Sequence, residues 1–318
     1  MSDSLPLEGL RMTSGLAHYC RRSSATWRFC ALACLPLLAA QALGGEEIAA
    51  GNVSVESDFR FAMVGDSNFK EGSTSGTLNS YNLGTRDVLS VKAQEGFLLR
   101  FGVEFEHYTF SASGTPALPS KLEDINLVLG ADLQLGDAWI MRIEFEPGLY
   151  GAGNRLRARA LDLPITLGAS YFVSTDLQLV AGLSIDQERK YPVLPGIGFR
   201  YKCSADWVLD MILPNPRLEY TFSKSLLFYG GGEIQSNSYR MEGNFGTLHD
   251  DPRLNNAIAD YDQVRVGIGA SWKVRDALTL ELEAGFVPIQ EFDYHRADLR
   301  ARATDVPPYG GVVLKAAF

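Results

Sequence analysis

Apolar and polar side chains alternate almost without interruption from residue 53 to the end of the chain. Between residues 125 and 135, isoleucine, leucine or alanine occupies every odd position, and most even positions carry asparagine, glycine, aspartate or glutamine. Successive side chains of a β-strand point to opposite faces, so this period of two predicts strands with one apolar face. About fourteen segments show the pattern, and no helical segment of useful length separates them. They are 53–64, 88–94, 97–110, 123–135, 138–149, 160–173, 177–186, 195–203, 206–213, 216–222, 226–238, 262–274, 277–287 and 309–318.

The connections between these segments alternate in length. Short connections lie at 95–96, 136–137, 174–176, 204–205, 223–225 and 275–276. Long polar stretches, such as 65–86 and 240–261, come between them. In an up-and-down meander, successive turns lie at opposite ends, so the short turns are all predicted at one end, as in bacterial outer-membrane barrels. The tight connection at 213–217 falls where a long loop is expected, which leaves twelve strands as an alternative to fourteen.

Strand length separates a membrane barrel from a soluble sandwich. Several segments reach about ten residues, which suits tilted strands that cross a bilayer, whereas strands in soluble sheets average about five or six residues. We therefore predict an all-β, antiparallel, up-and-down transmembrane β-barrel of about 12–14 strands. It is closed by pairing of the first and last strands, so no sheet edge remains.

The polar faces of the predicted strands carry charges of both signs. An arginine or lysine facing lipid at the midplane would cost about 2–4 kcal/mol, so these side chains are predicted to face the lumen. Two interpretations follow, a water-filled pore with weak ion preference or a lumen closed by mutual salt bridges. The main lumen-facing candidates are Arg100, Glu104, Arg142, Glu144, Glu146, Arg200, Lys202, Arg265, Glu281 and Glu283.

Tryptophans and the terminal phenylalanine fit the same architecture. Trp139, Trp207 and Trp272 each lie within four residues of a short turn. Indole rings favour the membrane interface, so we predict one girdle at this end of the barrel. Phe318 ends a strand with alternating apolar residues, which resembles the C-terminal assembly signal of Gram-negative outer-membrane proteins. That resemblance implies the barrel-insertion machinery as a partner.

The N-terminal region resembles a secretory leader in its three-part plan. Arg21, Arg22 and Arg28 precede an apolar run, and small residues follow it up to Ala42. This pattern predicts an N-terminal extension and cleaved signal peptide over 1–42, and a barrel domain over 43–318. The stretch before Arg21 is long for such a leader and favours a translation start at Met12 or later. The predicted location is the cell outer membrane.

Several stretches together resemble a family of uncharacterised bacterial outer-membrane β-barrel proteins, a domain-of-unknown-function family. They are LPNPRLEYTFSKSLLFYGGGE at 213–233, FDYHRADLRARATDVPPYGG at 292–311, and the closing Phe318. The resemblance implies the barrel and the compartment, and it brings no established activity or catalytic residues.

Few residues offer chemistry. The chain has a net charge of −9 and no basic stripe, which disfavours nucleic acid as a partner. Cleavage of the leader leaves Cys203 alone, which excludes a disulfide framework. No serine-hydrolase, zinc-protease or phosphate-loop motif is present, so neither a cofactor nor a metal is expected. His107, His249 and His295 are the candidate bases after cleavage.

These observations favour a barrel that passes or binds small solutes, in contact with outer-membrane lipid and without covalent chemistry. One alternative is an outer-membrane lipid or peptide hydrolase that uses a histidine at the rim. The other is a sealed structural barrel whose outer loops meet external partners.

Overall fold

The computed structural model describes residues 52–114, 116–153 and 156–318, and the predicted signal peptide 1–42 lies outside them. Several strands are interrupted. Three of them have a break, at 146–147, 163–164 and 304–307, and with each of these counted as one strand the sheet forms a closed antiparallel barrel of 14 strands. The elements are β1 (Val53–Glu71), β2 (Thr74–Gln94), β3 (Phe97–Gly114), β4 (Lys121–Leu135), β5 (Trp139–Phe145), β6 (Gly148–Ala152), β7 (Leu161–Asp162), β8 (Ile165–Phe172), β9 (Leu177–Ile185), β10 (Val193–Lys202), β11 (Trp207–Asp210), β12 (Arg217–Thr221), β13 (Leu226–Arg240), β14 (Ile258–Arg275), β15 (Leu278–Tyr294), β16 (Leu299–Ala303) and β17 (Pro308–Ala317).

The barrel closes between its first and last strands, as predicted. β1 pairs with β2 on one side and with β17 on the other, where Phe59 is opposite Leu314. The pairing continues to the final residue, because Val55 and Phe318 exchange two backbone hydrogen bonds of 3.0 Å. The predicted all-β, closed fold is therefore confirmed. Both ends of this part of the chain lie at the end of the barrel with the short turns.

The prediction of a long loop at 65–86 was wrong. These residues extend β1 to Glu71 and begin β2 at Thr74, so the connection between the two strands is a tight turn. An irregularity between Val64 and Ser67 shifts the pairing register, and the inward face changes from even to odd positions. That change of phase, together with a polar composition, hides the strand from a period-two search.

The wall of the barrel is tall on one side and short on the other. β1 and β2 contain 19 and 21 residues, whereas β11 and β12 contain 4 and 5. β11 and β12 are the ninth and tenth strands of the barrel, so the alternative of twelve strands is wrong. Over the tall side, the long strands continue well beyond the ends of the short ones.

Helical elements are confined to the long-loop end. Among residues 52–114, 116–153 and 156–318 they are α1 (Phe245–Leu248) and two 3-10 turns at Ala158–Ala160 and Pro252–Leu254. Among the described residues, no helix has the length and apolar character needed to cross a membrane.

The distribution of side chains is the inverse of that in a soluble protein. On β3, Phe101 and Val103 point outward and are 47% and 48% exposed, whereas the inward-facing Arg100 is 8% exposed. β4 repeats the arrangement, because Ile125 and Leu127 are exposed while Asp132 is buried. An apolar band therefore surrounds the outside of the barrel, and charges lie inside.

The long-loop end of the barrel holds a packed cluster that we call the aromatic core. Its rings contact one another from opposite walls. Tyr108 and Tyr261 have centroids 5.2 Å apart, and Phe292 lies 4.9 Å from Tyr261. At this end the interior is therefore filled by packed side chains. The aromatic core comprises Phe69, Tyr108, Phe110, Tyr150, Tyr239, Phe245, Tyr261, Phe292 and Tyr294.

Candidate functional site

Arg86 is the centre of a charged network inside the barrel. Its guanidinium donates hydrogen bonds to Glu104 on β3 and to Glu144 and Glu146 on the fifth strand of the barrel. The distance from Arg86 Nη1 to Glu146 Oε1 is 2.9 Å. Three carboxylates thus share one cation in a largely buried place. Sequence reasoning missed Arg86, because it lies in the stretch predicted as a loop.

A second group of charges adjoins this network on the side of the short turns. Arg142 donates two hydrogen bonds of 2.7 Å to the two carboxylate oxygens of Asp132. Arg100 lies between them and the network, with its Nε 3.7 Å from Glu144 Oε2 and its Nη2 3.4 Å from Glu56 Oε2. The structure thus brings several of the predicted lumen residues into one connected set.

Arg265 connects opposite parts of the wall. From β14 it donates a hydrogen bond of 3.2 Å to Asn82 on β2, and its Nη1 lies 3.4 Å from Glu233 on β13. Arg60 on β1 adds contacts with Glu106 at 3.5 Å and with Glu104. Because three strands separate β14 from β2 along the wall, the contact between Arg265 and Asn82 crosses the lumen. Side chains therefore fill the lumen at this level.

At the short-turn end, the cations of several inward-facing ion pairs are more exposed than their partners, whereas in the pair of Arg100 and Glu56 the acid is the more exposed group. We call this region, lined by Arg142, Arg200, Arg217, Glu281 and Lys315, the vestibule. Lys315 lies 2.9 Å from Glu281, and their side chains are 40% and 7% exposed. Arg200 lies 3.0 Å from Glu219, and the side chain of Arg200 is 42% exposed while that of Glu219 is 17% exposed. The same holds for Arg142 and Asp132, at 46% and 11%. The vestibule thus presents guanidinium and ammonium groups to solvent.

Glycines let large side chains lie flat on the inner wall. A Cβ at Gly269 would lie 2.3 Å from the ring of Tyr229, and one at Gly311 would lie 2.9 Å from Glu283. The Arg217 guanidinium stacks 4.3 Å from the centre of the Tyr229 ring. Lys202, also predicted to face the lumen, is exposed at the end of β10.

The aromatic core closes the other end of the lumen. The Tyr239 hydroxyl donates a hydrogen bond of 2.9 Å to Asp124 on β4, from the opposite wall. The backbones of the two walls also meet, because Arg240 pairs with Gly151 in a parallel bridge. In the part of the chain that the structure describes, these contacts therefore close the lumen at the long-loop end.

The loop at 186–192 packs over this closed end. The Lys190 Nζ lies 2.7 Å from Asp293 Oδ2, and the Lys190 backbone N–H donates to Asp260. The hydrogen bond with Asp293 raises the pKa of Lys190. Glu188 accepts a hydrogen bond of 2.9 Å from Arg240. The loop therefore ties the short side of the barrel to its tall side.

The three tryptophans lie on the outside of the barrel near the short turns. Trp139 packs on Tyr171 with ring centres 4.7 Å apart, and Trp207 packs on Tyr220 at 4.8 Å. Trp272, on β14, is half-exposed. Their role as an interface girdle stays a prediction, as does the role of Phe318 in assembly.

The candidate histidines have different surroundings. His107 Nδ1 lies 2.7 Å from Glu123 Oε1, and its Nε2 lies 2.9 Å from the Thr109 hydroxyl. The His249 ring packs at a tilt against Phe245, and His295 Nδ1 is 3.6 Å from Asp260. No group of three or more potential metal ligands occurs among the described residues.

A family model covers most of the chain. The domain of unknown function DUF6268 matches residues 39–310. The chain belongs to the DUF6268 family. The sequence resemblance to a family of unknown function is thereby confirmed. No curated protein sequence matches the chain at a significant level.

Solved structures similar to this DUF6268 chain include an outer membrane channel, a toluene transporter and the translocator domain of an autotransporter. The COG4313 outer membrane channel from Pseudomonas putida F1 is 12% identical, with a TM-score of 0.45, over 86% of this chain and 98% of that one. The Pseudomonas putida toluene transporter TodX is 10% identical, with a TM-score of 0.39, over 84% and 90%. The translocator domain of the autotransporter NalP from Neisseria meningitidis is 13% identical, with a TM-score of 0.40, over 91% and 98%.

Proposed function

We propose that the protein is an integral β-barrel of the bacterial outer membrane that binds small anionic solutes in its vestibule. The observation that carries the membrane location is the inverted side-chain distribution. Outward residues such as Phe101, Ile125 and Ile268 are exposed, while inward residues such as Arg100 and Glu144 are buried. In water this arrangement would expose a continuous apolar band, whereas lipid covers it.

The topology sets the orientation in the membrane. Short turns face the periplasm and long loops face outward in barrels of this kind, so the vestibule opens to the periplasm. Trp139, Trp207 and Trp272 then lie at the inner interface. Export through the predicted signal peptide and insertion through the C-terminal strand complete this proposal.

The exposed charges of the vestibule favour anions. In each of the ion pairs formed by Arg142, Arg200 and Lys315, the cation is the more accessible partner. A carboxylate or phosphate entering from the periplasm can therefore accept hydrogen bonds from these groups while the buried acids keep them in place. The aromatic core favours a binder over an open channel, because a solute that reaches it finds no passage.

Titration calorimetry of the refolded chain with inorganic phosphate and with succinate tests the proposal. We expect saturable binding, weakened about tenfold or more by Arg200→Gln or by Lys315→Gln, because each removes a charge-assisted hydrogen bond. Lys224→Gln, in the short turn outside the lumen, is the matched control and should leave the affinity unchanged. Folding of each variant is checked by heat-modifiable gel mobility.

The proposal of an anion binder fails if the folded chain shows no saturable heat with either ligand. It also fails if Lys224→Gln weakens binding as much as both lumen variants do. Substitutions on two different strands guard against a local folding defect in one of them.

A further inference from the structure

The outward face of β3 and β4 carries a hydrogen-bonded trio that the solute-binding function does not use. His107 and Thr109 are two residues apart on β3, so they share one face, and Glu123 is the register partner of His107 on β4. The carboxylate contacts Nδ1 at 2.7 Å, and the hydroxyl contacts Nε2 at 2.9 Å. From this geometry we propose that Thr109, His107 and Glu123 form an ester-hydrolysing site on the outside of the barrel.

The two ring nitrogens have the roles that such a site requires. With Nδ1–H donating to Glu123, the lone pair of His107 lies on Nε2 and accepts the proton of the Thr109 hydroxyl. In an activated nucleophile, the hydroxyl is hydrogen-bonded to a base, and an acid holds the second nitrogen of that base. The trio has this arrangement. Glu123 is a positioning residue, because it acts only through His107.

The place of the trio on the barrel indicates the class of substrate. Outward residues of β3 are apolar from Phe97 to Phe105, and His107 is the first polar one beyond them. On β2, the register partners of His107 and Thr109 are Leu83 and Tyr81. The trio therefore lies at the outer rim of the apolar band, where the ester groups of membrane amphiphiles lie above their acyl chains.

A lysine shares the outward face with the nucleophile. Lys121 on β4 is the register partner of Thr109, so its side chain starts from the same outward face. A positive group near the reacting carbonyl stabilises the negative charge that forms on its oxygen. The side chains of His107 and Glu123 are partly exposed, so a substrate in the surrounding lipid can reach them.

The reaction balances without any cofactor. Thr109 Oγ1 bonds to the ester carbonyl carbon, and its proton moves to His107 Nε2. The carbon–oxygen bond to the alcohol breaks, and the alcohol takes that proton. Water then attacks the acyl-threonine, gives a proton to Nε2 and releases the carboxylic acid, and the proton returns to Thr109. The substrate class is a long-chain carboxylic ester.

Turnover of p-nitrophenyl palmitate by the refolded full chain in detergent micelles tests this site. We expect hydrolysis that falls about 100-fold or more in Thr109→Ala and in His107→Asn, because base-assisted attack is lost. Thr109→Ser should retain activity. Glu123→Asp should keep part of the rate that Glu123→Gln loses, which a purely structural role for Glu123 would not require.

Covalent labelling gives a second readout. A fluorophosphonate should add its mass to Thr109 in the unchanged chain and not in His107→Asn, while His249→Asn, in the loop at 241–257, should label and turn over normally. The proposal is overturned if the folded chain neither hydrolyses the ester nor labels at Thr109. It is also overturned if Thr109→Ala remains as active as the parent. Neither result bears on anion binding in the vestibule.

Discussion

Replacing Phe292 with alanine should lower the free energy of unfolding by about 3–5 kcal/mol, one of the largest effects of any single substitution in this chain. Phe292 is fully buried, and its ring lies 5.2 Å from Phe110 and 4.9 Å from Tyr261. Removal of the ring leaves a cavity between β3, β14 and β15 that the surrounding side chains cannot fill. Urea unfolding of the refolded chain in micelles, followed by tryptophan fluorescence, measures the change.

Leu248→Ala provides the control for this substitution. Leu248 is a large apolar residue of α1 that is exposed, so its truncation should change the free energy of unfolding by no more than about 0.5 kcal/mol. An equal, small loss in both variants would mean that the aromatic core does not hold the long-loop end together.

Replacing Arg86 with alanine should lower the free energy of unfolding by about 3–5 kcal/mol, because it leaves three acids without the cation they share. Glu104, Glu144 and Glu146 surround the guanidinium in a region from which water is largely excluded. The double variant Arg86→Ala with Glu146→Gln should recover part of the loss, since Glu146 has its ion pair with Arg86 and its uncompensated charge is then gone. The same urea unfolding measures both variants.

Arg275→Ala is the matched control, since Arg275 is an exposed arginine beside a short turn. This substitution should leave the free energy of unfolding almost unchanged. If Arg86→Ala is as mild as Arg275→Ala, or if the second substitution deepens the loss, the network does not depend on Arg86.

Much of the fold follows from local sequence patterns, because a strand with one face in lipid must alternate. The period of two located all fourteen strands of the barrel, and the alternation up to Phe318 predicted its contact with β1. The lengths of the strands on the tall side were underestimated. Beyond the apolar band both faces of a strand are polar or mixed, so residues such as Phe69 and Leu78 stand alone among polar neighbours.

The candidate sites depend on register, which alternation does not fix. His107 and Glu123 are sixteen positions apart and meet only because β3 and β4 pair in one particular register. Arg265 and Asn82 meet across the lumen for a similar reason. Tyr108 and Phe110 share the inward face of β3, but their packing against Tyr261 depends on which strand lies across the lumen from them.

The energetic reason for the closed end lies in the length of the strands. On the tall side, β1–β4 and β13–β15 extend beyond the apolar band, and there the inward aromatic rings are buried by contact with one another. Within the band, the wall instead keeps its charges paired. One sheet thus forms a barrel with an apolar outer band at its short-turn end and a core of packed aromatic rings at the other.

Single-channel recording in a planar bilayer tests the central claim, a membrane barrel whose lumen is closed at its outer end. Insertion of the refolded chain is first established by heat-modifiable gel mobility in the same lipid. The account predicts a bilayer without discrete conductance steps for the inserted protein. Regular steps whose size changes in Arg142→Ala and Glu144→Ala would contradict it, because ions would then pass through the lumen and the aromatic core.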